Sequence, residues 1–147
     1  MVTHQSHVAR ETAPPLLVEP ERRREISSTA FKLFLRVAER WGLDGAEQMA
    51  LLGNLPRSTF QRWKNRIEQG QPIELTRDQL ERVSLCLGIE KGLKLVFVDT
   101  DAQTRWLKSI NHDMPFFGEA PLQRMTDAGI VGLHATRKYL DAWRGIR

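Results

Sequence analysis

Between Arg57 and Arg66 the positions not needed for a core are Arg57, Ser58, Thr59, Gln61, Arg62, Lys64, Asn65 and Arg66, with no acid among them. Those side chains suit one chemistry. Arg and Lys neutralise phosphate or pair bidentately with guanine, Asn and Gln pair with adenine, and hydroxyls near a helix start donate to phosphate. The candidate nucleic-acid contacts are therefore Arg57, Ser58, Thr59, Gln61, Arg62, Lys64 and Asn65. A solvated basic face on a core helix would carry the same charges. The balance tips toward DNA because a turn, a cap and a basic face occur here in the order a helix-turn-helix requires.

Other constellations that resemble chemistry have simpler readings. His4 and His7 have helical metal-ligand spacing but no third ligand nearby. Cys86 lies in the apolar run Val83-Ser84-Leu85-Cys86-Leu87, and His112 and His134 are separated by a loop and a helix, so a Cys-His nucleophile pair has little support. Asp99-Thr100-Asp101 stands directly before a helix, where Asp caps rather than binds metal. Neither a glycine-rich phosphate loop nor a nucleophile elbow is present. The expectation is a binding protein that is not an enzyme and needs no cofactor or metal.

The elements that must position the basic face follow from periodicity and punctuation. Residues 1–25, with Pro14, Pro15, Pro20 and the charge run Glu21 to Arg24, read as a flexible arm. Ser27 or Ser28 then caps a helix carrying Phe31, Phe34, Leu35 and Ala38 up to Trp41 and Gly42. Asp44-Gly45-Ala46-Glu47 has capping-box spacing and opens a short helix ending at Gly53, where the turn wants positive φ. Pro56 opens the basic helix, with Phe60, Trp63 and Ile67 inward. Thr76 with Gln79 caps a fourth helix running to Gly88, and separate helices follow over 90–97 and 102–109. A loop spans 111–119, Pro121 opens a short helix, and a last helix carries Leu133, Leu140 and Trp143 beside Ala135, Tyr139, Ala142 and Ile146. The fold class is all-α, with a helix-turn-helix bundle followed by a C-terminal helical domain.

The 147 residues allow one compact domain or two small ones sharing a core. Twenty-two Lys and Arg against 18 Asp and Glu leave a formal charge of +4, which favours an anionic partner without the density of a histone-like tail. A single cysteine rules out an intrachain disulfide and a cysteine-built zinc cluster. No signal core precedes the fold, and the apolar stretch from Leu93 to Val98 is short and broken by Lys94. The expected setting is the cytoplasm, without a membrane partner.

Trp106-Leu107, then Phe116-Phe117-Gly118-Glu119-Ala120-Pro121-Leu122, then Gly129, and finally Leu140, Trp143 and Gly145 form an ordered series. That series resembles the toxin-binding domain of the Xre/MbcA/ParS antitoxins. The family has a Gly-x-x-Pro-Leu step, a short helix ending near glycine, and a closing helix with Leu and Trp before Gly. Gly118, Pro121, Leu122, Gly129, Leu140 and Gly145 match it, whereas Ala120 stands where a capping Ser is common. The family also places an Xre-like helix-turn-helix first, so the resemblance covers everything but the arm.

The resemblance implies a RES-domain toxin as partner, one that consumes NAD or transfers its ADP-ribose. It divides the chain into an arm at 1–25, a DNA-binding domain at 26–97 and a toxin-binding domain at 98–147. Toxin contacts are expected at Phe116, Phe117, Gly118, Pro121, Leu122, Trp143, Arg144 and Arg147, with Arg144 and Arg147 suited to a cleft built for an anionic dinucleotide. Leu133 and Leu140 read as core. A homodimer binding two-fold symmetric operator DNA, within a larger toxin–antitoxin assembly, completes the expectation. The rival readings are a stand-alone repressor whose second half dimerises or senses a ligand, and a structural adaptor that leaves the basic helix idle.

Overall fold

The computed structural model describes residues 19–146, the side chain of Ile146 excepted. The arm before Glu19, His4, His7 and Arg147 lie outside the described residues. Seven helices make up the described chain: α1 Pro20–Trp41, α2 Gly45–Leu51, α3 Arg57–Glu68, α4 Arg77–Val96, α5 Thr100–Lys108, α6 Pro121–Asp127 and α7 Gly129–Ile146. The all-α class is as the sequence implies, and no described helix is long and apolar enough to cross a membrane.

The first helix starts earlier than its apolar stripe suggests. Pro20 occupies its first turn, where the missing N–H is no loss, and Glu21 complements the helix dipole. Residues 20–25 are therefore helical, which corrects the boundary of the arm at residue 25. Ser27 and Ser28 are interior, not caps. The Ser27 hydroxyl accepts from the Leu75 amide at 3.0 Å and that of Ser28 from the Ile73 amide at 3.3 Å. Arg23 adds an ion pair to Glu74 at 3.3 Å. These contacts give the charged turn a surface to form against, a tertiary effect that local composition does not reveal.

The second correction concerns α4, which runs unbroken through Gly88 where a stop was expected. Its capping box at Thr76 and Gln79 is as read, the Thr76 hydroxyl accepting from Gln79 N at 3.1 Å and Gln79 Oε1 from Thr76 N at 2.8 Å. Gly88 and Gly92 are instead where α7 approaches closely. A Cβ on Gly92 would lie 3.2 Å from the Leu140 Cβ. One core results, running from Phe31, Phe34 and Trp41 through Leu51, Ile89 and Leu93 to Leu107, Met125, Leu133 and Leu140. Leu133 and Leu140 are fully buried, as expected. The two functional units thus share α4, and Glu90, buried on it, is held to Arg40 of α1 at 2.6 Å.

Candidate nucleic-acid interface and partner-binding face

The turn between α2 and α3 is built by local rules. Asp44 Oδ1 accepts from Glu47 N at 2.7 Å while Glu47 Oε1 accepts from Asp44 N at 2.9 Å, so α2 starts on a closed capping box. It ends into Gly53 at φ 91° and Asn54 at φ 58°, two residue types that tolerate the left-handed region. Pro56 then caps α3. Phe60 and Trp63 are buried edge-on against Phe31, with ring centroids 6.1 and 5.6 Å away. That anchoring fixes the rotation of α3.

With Phe60, Trp63 and Ile67 inward, the helical step turns Ser58, Gln61 and Asn65 outward, with cations on either side. Arg57, Ser58, Gln61, Arg62, Lys64 and Asn65 are all exposed, and Thr59 is half-buried. Gln61 Nε2 donates to Asn65 Oδ1 at 3.2 Å, and Lys64 Nζ sits 5.3 Å from the Phe60 ring centroid. Arg66 is held back, its Nε donating to the Pro72 carbonyl at 2.9 Å. A polar centre between cationic flanks can reach base edges while its flanks meet the two phosphate walls of a groove.

The C-terminal unit is organised around aromatic rings. Trp106 of α5 stacks on Tyr139 of α7 at 5.9 Å and meets Phe116 edge-on at 5.7 Å, while Trp143 meets Phe97 edge-on at 5.3 Å. The loop above is closed by Asn111 N donating to Glu119 O at 3.1 Å and Gly118 N to Asn111 O at 2.9 Å. Tyr139 pins it from below, its hydroxyl donating to Asp113 Oδ2 at 2.7 Å. Burial and the neighbouring Asp113 carboxylate together raise the Tyr139 phenol above its ordinary value. In this frame Phe116 turns inward and is fully buried, while Phe117, at φ 49°, is turned out and 66% exposed.

The expected contact set therefore divides. Phe116, Pro121 and Leu122 are buried, Phe116 edge-on against Trp106. Phe117 and Arg144 are exposed, and Gly118 and Trp143 are half-buried. Arg144 lies 3.6 Å from Asp141 on its own helix. Ile110 and Met114, 68% and 71% exposed, join Phe117 on the loop and had no periodic signal to mark them. The visible clue would have been apolar side chains inside the segment read as loop, for Met114, or at its edge, for Ile110.

The remaining reactive groups stay structural. Cys86 is fully buried, and desolvation pushes its thiol up to about 12, so it remains protonated and inert. Asp99 accepts from Asp101 N at 3.2 Å as the cap of α5. His134 pairs with Glu81 at 3.2 Å across α7 and α4.

Residues 21–88 match the antitoxin Xre-like helix-turn-helix domain, and residues 93–145 match the antitoxin Xre/MbcA/ParS C-terminal toxin-binding domain. The chain is also similar to the uncharacterized protein y4oB of Sinorhizobium fredii (strain NBRC 101917 / NGR234), at 36% identity over 112 residues, covering 76% of this chain and 81% of that protein. Both matched domains are binding modules rather than enzymes, and their order is the order of the two surfaces just described. The chain belongs to the Xre/MbcA/ParS antitoxin family, with a DNA-binding type of domain ahead of a toxin-binding one.

Proposed function

We propose that this antitoxin inhibits a RES-domain toxin that consumes NAD or transfers its ADP-ribose, by occupying the toxin's active-site cleft, and that it represses its own operon through α3. The RES class rests on the family resemblance. The observation that carries the proposal is the pair of uncommitted surfaces, one polar and basic on α3, the other apolar on the loop bearing Ile110, Met114 and Phe117. A helix presenting Gln61 and Asn65 between cations has the chemistry of a groove reader. A loop presenting a rigidly held Phe has the chemistry of an interface anchor.

In the complex, Phe117 packs on apolar toxin surface while Arg144 exchanges Asp141 for a toxin carboxylate at the cleft, with Arg147 and Trp143 beside it. A desolvated, hydrogen-bonded pair of this kind carries affinity, whereas a rim contact carries little. Residues 26–97 supply the DNA function and 98–147 the toxin function, the second packing on α4 of the first. The protein acts in the cytoplasm as a homodimer within a larger assembly, since two-fold operators call for two copies of α3.

Co-expression with a RES-domain toxin encoded beside this gene tests the first part. The two are expected to co-purify, NAD to compete with the antitoxin for the toxin, and an Arg144→Ala, Arg147→Ala double variant to inhibit less. Failure of NAD to compete, with undiminished inhibition by the double variant, sinks cleft occupation. For the second part, a folded Arg57→Ala, Arg62→Ala, Lys64→Ala variant is expected to lose binding to the DNA upstream of its gene.

A further inference from the structure

Arg24, on the first turns of α1, sits across a recess from α3. The recess holds about 360 Å³ and is lined by Arg24, Arg62, Trp63, Arg66, Pro72, Ile73 and Glu74. Three arginines from two helices line it beside a single acid. That acid is already engaged, Glu74 Oε1 accepting from Arg23 at 3.3 Å. Arg66 is oriented by its Nε bond to the Pro72 carbonyl, so its freedom is spent before any ligand arrives. The Arg24 and Arg62 side chains make no hydrogen bond or ion pair within the described residues. Glu21 and Glu25 share the adjoining recess with Arg24 and Lys32 but do not line this one.

We infer that this recess is a phosphate site, formed by Arg24 of α1 with Arg62 and Arg66 of α3, that takes a backbone phosphodiester of the DNA on which α3 lies. Planar, always-charged guanidinium groups match a tetrahedral oxyanion through paired N–H donors, which a lone ammonium does not. The recess flanks the outward face of α3, where Gln61 and Asn65 stand, so a strand lining the groove passes beside it. The inference rests on the reading of α3 as the DNA-facing helix, and it adds the start of α1 to the interface. It also assigns Arg62 to phosphate rather than to guanine.

The test uses the full chain and two duplexes of equal length, the DNA upstream of the gene and a scrambled sequence, titrated across a salt series by fluorescence anisotropy. Arg24→Ala is expected to melt like wild type and to weaken binding to both duplexes by the same factor, about five- to tenfold at 0.1 M salt. The slope of log affinity against log salt should fall, by no more than the roughly 0.9 that loss of one whole phosphate contact gives. Unchanged affinity and slope overturn the site, as does a loss confined to the upstream duplex. If the wild type binds neither duplex, the DNA reading fails by itself, and inorganic phosphate decides the site. Phosphate should then shift the Nε–Hε resonances of Arg24 and Arg62, and the Arg62 shift should vanish in Arg24→Ala. Resonances that ignore phosphate overturn the inference in that case too.

Discussion

The two surfaces of this antitoxin are made in opposite ways. On α3 the aromatics Phe60 and Trp63 form a single inward stripe, and everything opposite them is polar. In the C-terminal unit, Phe97, Trp106, Phe116, Tyr139 and Trp143 come from four separate stretches of chain to form one cluster, and the loop they support presents apolar residues outward. A helix face is set by its own period once one side is anchored. A loop face is set by which of its residues the non-local core captures. The first kind of surface therefore survives changes elsewhere, whereas the second depends on packing that spans the molecule.

The sharpest way to break this comparison is to remove its second member. Deleting the chain after Phe97 strips Leu107, Leu122, Met125, Leu133 and Leu140 from the shared core and bares the face of α4 at Gly88 and Gly92. Each such side chain contributes about 1.5–3 kcal/mol when buried, against a typical total stability of about 5–15 kcal/mol. The truncated protein is expected to be largely unfolded at 37 °C by circular dichroism and to lose DNA binding together with toxin inhibition. A cooperative melt near that of the full chain would show the helix-turn-helix to be self-sufficient.

Adjacent phenylalanines test the division at finer scale. Phe116→Ala removes a fully buried ring in contact with Trp106 and Tyr139 and should cost about 3–5 kcal/mol of unfolding free energy. Phe117→Ala removes an exposed ring and should change stability by no more than about 0.5 kcal/mol, while weakening toxin inhibition. Denaturant melts and a toxin activity assay separate the two. Equal destabilisation would mean that Phe117 is held by the core after all.

On the other surface, the polar centre and the cationic flanks of α3 should lose different things. Gln61→Ala and Asn65→Ala are each expected to cost about 1–3 kcal/mol on the cognate operator and little on scrambled DNA. Lys64→Ala, on a flank, should weaken both nearly equally and lower the salt slope. Reversal of these patterns in anisotropy titrations would rotate the assumed face of α3.

The contrast also explains what could be read from the sequence. The caps at Asp44, Thr76 and Asp99, the turn at Gly53 and the inward stripe of α3 are short-range features, and all are found as expected. The misplaced boundaries are long-range ones. The start of α1 depends on Glu74, Ile73 and Leu75, about fifty residues away, and Gly88 is passed through because α7 packs there. Phe116 and Phe117 have the same type and adjacent positions, so no local pattern tells which one the cluster takes. Arg24 belonged to a charge run, and only the fold brings it opposite Arg62.

The smallest expected effect isolates the pin beneath the loop. Tyr139→Phe keeps the ring in its stack with Trp106 and removes the hydroxyl with its 2.7 Å bond to Asp113, an exposed acceptor, and its contact with Asn111, so a loss of about 0.5–1.5 kcal/mol is expected at neutral pH. The sign of its pH dependence follows from the raised phenol. A folded-state value above the ordinary 10.0 favours the neutral form in the native protein, so this contribution is complete below pH 10 and is lost as pH climbs through the raised value. A phenolate facing the Asp113 carboxylate would repel it. The buried Cys86 thiol acts in the same direction between its ordinary 9.0 and about 12, so the variant should retain part of the alkaline loss and shed the rest. Thermal melts from pH 8 to 11 read the difference, and superimposable alkaline limbs for wild type and variant would remove Tyr139 from this role. Because the same bond positions the loop that carries Phe117, toxin inhibition should weaken in Tyr139→Phe as well, by less than in Phe117→Ala.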